Sequence, residues 1–380
     1  MKTKERKGLR TWIEIDVDAI DSNYREFRSL IPDKTKICAV VKSNAYGHYL
    51  VDFSKRMERN GVDRLAVDTV FEGLRLRKEG ISVPLIVLGY TLPEMFGEAS
   101  LNDISVTISG RDALKEAVRI KTLEPLKIHL KFDTGMNRQG FGEEEVLEVL
   151  RILSDNVSRG VEVEGIYTHF ANAKDPDERG DTEEQIKAFE RMKGHFLKTG
   201  FKPLIHACAT AGAVNYSEAH YDMVRIGIGM YGLWPSERTK VCAEEKLKLK
   251  RVMSWKTVVS DVKEVPAGVG VGYGFSEKVS RDSKLAVLPI GYWHGYSRAL
   301  SSSASVLIRG RRAKVIGLIS MDITVVDVTD IKGVKVGDEV TLIGNDGEEE
   351  VTPEELAEIS GSSNYEFITR INPLIKKFYL

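Results

Sequence analysis

The chain has 380 residues, 42% of them apolar and 29% charged, with a formal net charge of −1. That length allows two domains with sizeable cores, and the balanced charge leaves neither a basic excess to hold nucleic acid nor an acidic tail. No apolar stretch reaches membrane-span length, no signal core follows the charged Met1–Lys7 start, and Cys38, Cys208 and Cys242 are too widely spaced to form a metal-ligand cluster, so the expected location is a reducing cytoplasm.

An alternating strand, 11–16, opens the pattern, and 18–31 reads as a helix with Asp18 as its N-cap. Strand-like runs follow at 37–41, 64–67, 85–88, 104–108, 126–132, 163–167, 204–208 and 223–226. Helical patterns at 70–78, 111–120, 143–153 and 182–198 lie between them, and Gly61, Gly80, Gly160 and Gly200 stand where helices should stop. Eight strands, each followed by a helix or a helix-opening turn, imply a parallel sheet closed into a TIM-type (β/α)8 barrel. The barrel is expected over residues 12–243, with its last helix opening near Gly229–Gly232. After Cys242 the texture changes to β-branched, alternating runs (247–264, 285–288, 304–308, 313–319, 323–328, 339–343) separated by Gly-, Pro- and Asn-rich turns. Residues 244–380, with residues 1–11, are therefore expected to form a mainly antiparallel β domain. Its one clear helix is 352–360, where Thr352 and Glu355 are spaced as a capping box.

The stretch Ala39–His48 reads as a buried strand ending on Lys42, then a polar Ser-Asn-Ala-Tyr-Gly turn, then a helix opening near His48. A desolvated lysine amine has a lowered pKa and becomes nucleophilic, which Schiff-base chemistry requires. Taken alone, Lys42 is better explained by a side chain that reaches back to water. A barrel enzyme keeps its site at the C-terminal ends of its strands. Polar residues stand at several of those ends: Lys42, then Lys131 to Arg138, His169, His206 to Thr210, and Arg225 to Gly232. Singly each has an ordinary structural role, His169 as a hydrogen-bonded core histidine, Arg138 and Arg225 as solvated charges, Gly227 and Gly229 as a short glycine pattern. Their shared rim is what points to a site.

The segment around Lys42 closely resembles the pyridoxal-phosphate lysine motif of the alanine racemase family, and the resemblance covers nearly the whole chain. Lys131–Gly140 looks like the family's Lys-x-Asp-Thr-Gly-Met-x-Arg-x-Gly segment. Val224–Gly232 is similar to its pyridine-facing arginine and phosphate-holding segment, and Val271–Phe275 resembles the catalytic tyrosine turn. Pro289–Tyr292 and Ser320-Met321-Asp322 match segments at the mouth of the site, and Tyr365 matches a phosphate-contacting tyrosine. The resemblance implies interconversion of L- and D-alanine, supplying D-alanine for peptidoglycan. It implies pyridoxal 5'-phosphate as cofactor, held by Lys42, Tyr46, His169, Thr210, Arg225, Gly227, Ile228 and Tyr365. Arg138 and Met321 would address the substrate, a carbamylated Lys131 would hold Arg138, and Tyr292 would support the mouth. It further implies a homodimer in which the barrel of one subunit faces the β domain of the other. The chemistry is coherent with these roles. Racemisation needs a base on each face of a planar carbon, here Lys42 and Tyr273, and a hydrogen-bonded chain through His169 and Arg225 would lower the phenol from its usual pKa of about 10. An arginine at the pyridine nitrogen gives up no proton, which limits side reactions.

Some positions depart from the family pattern. Ala209-Thr210 stands where many relatives have Asn-Ser, Trp293-His294 where Ala-Asp is common, Lys174 where an acid is expected and Leu318 where an arginine is usual. The substrate channel is thus expected to differ in charge, which keeps a broad-specificity or basic-amino-acid racemase as the alternative. A barrel-fold decarboxylase would show a Gly-Gly-Gly phosphate motif and a Cys-Glu-Ser-Gly-Asp segment, and neither occurs. A non-catalytic pyridoxal-phosphate carrier would resemble the barrel alone.

Overall fold

Apolar and β-branched runs buried along their whole length mark strands covered on both faces, as in Arg64–Val67, Leu85–Val87 and Ile104–Ile108. In the computed structural model, which describes residues 6–156 and 160–380, these runs belong to a closed parallel barrel. After β1 (Thr11–Ile15), the barrel strands are β2 (Lys36–Val40), β3 (Arg64–Val67), β4 (Leu85–Val87), β5 (Ile104–Ile108), β6 (Leu126–Lys131), β7 (Val161–Tyr167), β8 (Leu204–His206) and β9 (Met223–Ile226). Each pairs in parallel with the next, and β9 returns to β2 with Cys38 opposite Arg225.

The chain divides into two compact units. The barrel unit comprises Asp18–Ala45 and Leu50–Lys250; the other takes the N-terminal segment through Val17, Tyr46–Tyr49 and Arg251–Leu380. The expected boundaries at residues 12 and 243 are therefore displaced. β1 is not a barrel element, because it pairs antiparallel with Met253–Val258 and parallel with Lys377–Tyr379. At the other end, the Asn23 side chain accepts from the Lys250 backbone N–H and donates to the Lys250 carbonyl, both at 2.8 Å, which ties that segment to the barrel unit. Residues 1–5 of the stretch assigned to the β domain lie outside the described residues.

In the second unit β1 and Met253–Val258 sit inside a seven-stranded sheet, beside a three-stranded sheet of Asp261–Val265, Ser283–Leu288 and Thr324–Asp327. Pairing is antiparallel apart from the β1 contact with Lys377–Tyr379. Half of the expected capping box forms: Thr352 Oγ1 accepts the Glu355 N–H at 3.0 Å, opening Pro353–Ile359, while the Glu355 carboxylate turns instead to the Arg312 guanidinium. A second short helix, Asn364–Thr369, is capped by Ser363; six residues are too few to show helical periodicity. Other details also differ. Asp18 lies within the first turn of helix Val17–Leu30 rather than capping it, and the last barrel-unit helix is Glu237–Ala243, preceded by a 3-10 turn at Ile228–Tyr231. Gly61, Gly80 and Gly200 take the left-handed conformation of helix ends, and a Cβ added at Gly160 would lie 2.6 Å from the Ile120 carbonyl oxygen.

Candidate functional site

The barrel strands deliver their last residues to one rim. β2 ends at Val40, and Lys42 emerges two residues later into a turn in which Ser43, Asn44, Ala45 and Tyr46 all have φ between 50 and 56°. Left-handed backbone costs roughly 1–2 kcal/mol per non-glycine residue, so it persists only where surroundings over-determine it. Here Ala45 N–H donates to the Val41 carbonyl at 2.8 Å, and Asn44 N–H donates to Glu72 Oε1 at 3.1 Å. Asn44 Oδ1 accepts from Leu50 N–H at 2.9 Å, and the other Glu72 oxygen accepts from Asp68 N–H at 2.8 Å. Of the two readings of Lys42, the structure fits the side chain that reaches back to water. Its side chain is 38% exposed and its Nζ lies 3.2 Å from Asp68 Oδ1. Asp68, directly after β3, escaped the sequence reading although it carries the same signal as Lys42, a charge closing an apolar strand.

Lys131 closes β6 and is buried. Its Nζ donates to Gln139 Oε1 at 3.2 Å, and Gln139 donates in turn to Ser109 Oγ at 3.0 Å. Burial, then the charges of Arg138 and Arg225, push the Lys131 amine down to about 8. Arg138 stands exposed on a turn built by Asp133, whose carboxylate accepts the backbone N–H groups of Gly135, Asn137 and Arg138, each at 3.0 Å. Burial alone would raise the Asp133 carboxyl; those donors hold it below its ordinary value. The Asp-Thr-Gly-Met-Asn-Arg spacing is thus an Asx turn with Asn137 left-handed at φ 54°.

Arg225, in β9, is buried with its guanidinium carbon 5.0 Å from the Tyr167 ring centroid. Nη1 donates to His206 Nδ1 at 2.7 Å. Nη2 donates to the Ala207 and Thr168 carbonyls at 2.8 and 2.9 Å and to His169 Nδ1 at 3.2 Å. Nε takes none of these bonds. Burial, then the charges of Arg225, Arg138, Lys131 and Lys42, push His169 down to about 3, so its ring is neutral. Because Nδ1 accepts from Arg225, the ring proton belongs on Nε2. Thr210 Oγ1 accepts from Gly227 N–H at 3.0 Å, leaving its own hydroxyl hydrogen free to donate beside the Ile228–Tyr231 turn. A side chain at Gly229 would meet Phe27 Cζ at 2.4 Å, so glycine is what lets this turn pack down.

The remaining residues singled out, Lys174 apart, lie in the sheet unit. The Tyr46 and Tyr365 rings pack with centroids 6.2 Å apart, and burial pushes both phenols up, Tyr46 to about 12. Tyr273 opens a short turn between Gly272 and Gly274, both at φ 69°, and is 74% exposed; Phe275 beside it is 69% exposed. Tyr292 and Trp293 dock their backbone N–H groups on the Ser320 and Met321 carbonyls at 3.1 and 3.0 Å, which brings those two segments together. His294 is buried, and its Nδ1 accepts from Gly291 N–H at 3.2 Å. Trp293 and Met321 are exposed and Leu318 is half-buried. Lys174 belongs to the barrel unit, where its side chain is exposed and its carbonyl accepts from Ser236 and Thr239. Among the described residues no group of three or more His, Cys, Asp or Glu could hold a metal, and no helix is long and apolar enough to cross a membrane.

Two family patterns match the chain: the alanine racemase N-terminal domain over residues 15–235 and the alanine racemase C-terminal domain over residues 252–379. Alanine racemase of Methanococcus maripaludis is 39% identical over 97% of this chain and 98% of its own length. That of Clostridium perfringens is 41% identical over 97% of this chain and 95% of its own. Among solved structures, alanine racemase of Clostridium difficile 630 superposes with a TM-score of 0.90 at 32% identity, covering 98% of this chain and 96% of the other. The Bacillus anthracis enzyme, solved with bound L-Ala-P, does so with a TM-score of 0.90 at 34% identity, covering 98% and 95%. The chain belongs to the alanine racemase family and is an enzyme of the isomerase class.

Proposed function

We propose that the protein interconverts L- and D-alanine with pyridoxal 5'-phosphate, using Lys42 and Tyr273 as bases on opposite faces of the substrate. The observation that carries this reading is the rim itself. Lys42, Lys131, Arg138 and Arg225 gather around a neutral His169, with Asp68 and Asp133 as counter-charges. That donor set fits the cofactor: an amine for an aldehyde, an unengaged guanidinium N–H for a pyridine nitrogen, and hydroxyl and backbone donors for a phosphate. Lys42, Tyr46, His169, Thr210, Arg225, Gly227, Ile228 and Tyr365 would hold it. Phenols raised by burial stay protonated at neutral pH, which suits Tyr46 and Tyr365 as phosphate donors. The bound cofactor supplies the electron sink that acidifies the substrate's α-carbon.

The chain's own residues do the rest. Arg138 pairs with the substrate carboxylate, for which a guanidinium is a bidentate partner. The Lys42 amine takes or returns the α-proton on one face, and the Tyr273 phenol does so on the other. Met321 and Tyr292 border the substrate. Tyr273 and Phe275 share one exposed turn, and Trp293 docks its backbone on Met321, both also exposed; large apolar side chains left exposed in this way support an interaction surface. We take its occupant to be the barrel rim of a second copy, giving a homodimer with shared sites. The three free cysteines suit a reducing cytoplasm, where D-alanine would feed peptidoglycan assembly.

An amine held at about 8 is neutral far more often near neutral pH than an ordinary lysine. This supports carbamylation of Lys131: its nitrogen bonds to carbon dioxide, loses a proton, and the new carboxylate faces Arg138. Under ¹³C-labelled carbon dioxide the protein should show a carbamate carbon resonance that Lys131→Ala abolishes; an unchanged resonance would place the carbamate elsewhere. Lys174, Trp293, His294 and Leu318 favour a second reading, a racemase of broader or basic specificity. Chiral chromatography of a panel of L-amino acids separates the two, with alanine expected to be the fastest.

A further inference from the structure

The inside of a (β/α)8 barrel is ordinarily filled by branched aliphatic side chains. Here a polar thread runs through it. Both terminal nitrogens of Arg64 (β3) bind the Glu164 (β7) carboxylate, at 2.7 and 2.6 Å, and Ser105 (β5) donates to the same group. Glu164 Oε2 lies 2.8 Å from His129 Nε2 (β6), His129 Nδ1 lies 2.9 Å from His206 Nε2 (β8), and His206 Nδ1 lies 2.7 Å from Arg225 Nη1 (β9). Arg64, Ser105, His129, His206 and Arg225 are all buried.

The ends of this thread dictate its direction. A guanidinium only donates and a carboxylate only accepts. His206 Nδ1 must therefore accept from Arg225, which puts the proton of a neutral ring on Nε2, aimed at His129 Nδ1. His129 in turn carries its proton on Nε2 and gives it to Glu164. Burial keeps both rings neutral, His206 most strongly. Burial alone would raise the Glu164 carboxyl, but the hydrogen bonds from His129 and Arg64 prevail and keep it ionised. Two further features hold the rings in place. Tyr167 stacks on His206 with centroids 4.6 Å apart and planes 8° from parallel, and its hydroxyl meets Thr107 at 3.0 Å. Gly165 lies opposite His129 in the β6–β7 register, and a Cβ there would sit 2.2 Å from His129 Nδ1.

We propose that Glu164, His129 and His206 are positioning residues for Arg225, forming a one-way chain of hydrogen bonds that fixes the rotation of its guanidinium and leaves Nε as the donor toward the cofactor's ring nitrogen. What Arg225 faces rests on the pyridoxal-phosphate reading; the order of the protons does not. Reversing one ring would set donor against donor beside Arg225, so an anionic Glu164 far from the rim dictates which Arg225 hydrogen remains available there.

The test uses two substitutions at His129 and two readouts. Glutamine offers one donor and one acceptor spaced like the two ring nitrogens and does not titrate; leucine fills the volume with neither. In ¹⁵N-histidine-labelled protein without cofactor, His129 and His206 should each appear as a neutral ring protonated on Nε2 between about pH 6 and pH 8. His129→Gln should keep His206 in that tautomer and leave pyridoxal phosphate affinity within about 3-fold of the wild type. His129→Leu should mix the His206 tautomers and weaken cofactor affinity on the order of 10-fold, as loss of an orienting partner does elsewhere. A merely space-filling His129 would be replaced as well by leucine as by glutamine. Wild-type His206 protonated on Nδ1, or a leucine variant with unchanged tautomer and affinity, would overturn the proposal. Should the leucine variant fail to fold, the wild-type spectrum and a glutamine variant with mixed His206 tautomers retain the power to overturn it. A wild type that binds no pyridoxal phosphate would instead sink the functional reading, and the tautomer spectra would still decide the thread.

Discussion

Lys42→Ala should lose alanine racemisation by more than about 10⁴-fold, since it removes both the amine that would bind the cofactor aldehyde and the base on one face. Folding should be nearly unaffected. The Lys42 side chain is 38% exposed, and its ion pair with Asp68 is of the exposed kind that contributes about 0–1 kcal/mol. The left-handed turn behind it is held by backbone atoms, Asn44 and Glu72, none of which the substitution touches. A melting temperature close to wild type with activity gone is the expected pair of results. Borohydride reduction of the cofactor-loaded wild type should attach the label to Lys42 alone. A label on another lysine, or substantial activity in the variant, would remove Lys42 from its role.

Tyr273→Phe should cost about 10²–10⁴-fold, the usual worth of a positioned proton-transfer group. The change deletes one oxygen from a side chain that is 74% exposed, so folding gives no competing explanation. The larger effect comes on mixing. If Lys42 and Tyr273 meet across two subunits, a heterodimer of Lys42→Ala and Tyr273→Phe has one site with both lesions and one with neither. With free exchange of equal amounts, half the dimers are mixed and roughly a quarter of all sites are intact. Two nearly dead preparations should then recover about a quarter of wild-type activity, and cross-linking before mixing should prevent it. If both residues came from one subunit, every site would carry a lesion and mixing would restore nothing.

The barrel was legible because its strands are short, nearly continuous apolar runs, a pattern that only double-sided burial produces. β1 was harder: an alternating pentapeptide declares a half-buried strand but not its partners, and these lie more than 230 residues away at Met253–Val258 and Lys377–Tyr379. The rim residues could be read from strand ends, yet the same logic applied to Asp68 went unused. The left-handed turn at Ser43–Tyr46 was not readable, because Asn44 alone among its four residues favours that conformation. Nor was the thread from Glu164 to Arg225. Polar residues inside a strand ordinarily face out, and inward convergence of His129, Glu164 and His206 depends on barrel stagger, including the register shift between Ile128 and His129. Of the two readings of the Lys42 side chain, its partial exposure fits the one that reaches back to water, because burial of a strand does not extend two residues past its end.

The most direct test of alanine racemisation is to incubate L-alanine in deuterated water with the protein and pyridoxal 5'-phosphate, then resolve the enantiomers by chiral chromatography with mass detection. The account predicts that D-alanine rises to parity with L-alanine and carries solvent deuterium at its α-carbon, because the proton is removed to one side chain and returned from another. No D-alanine, or D-alanine without deuterium at the α-carbon even at the longest times, would contradict it.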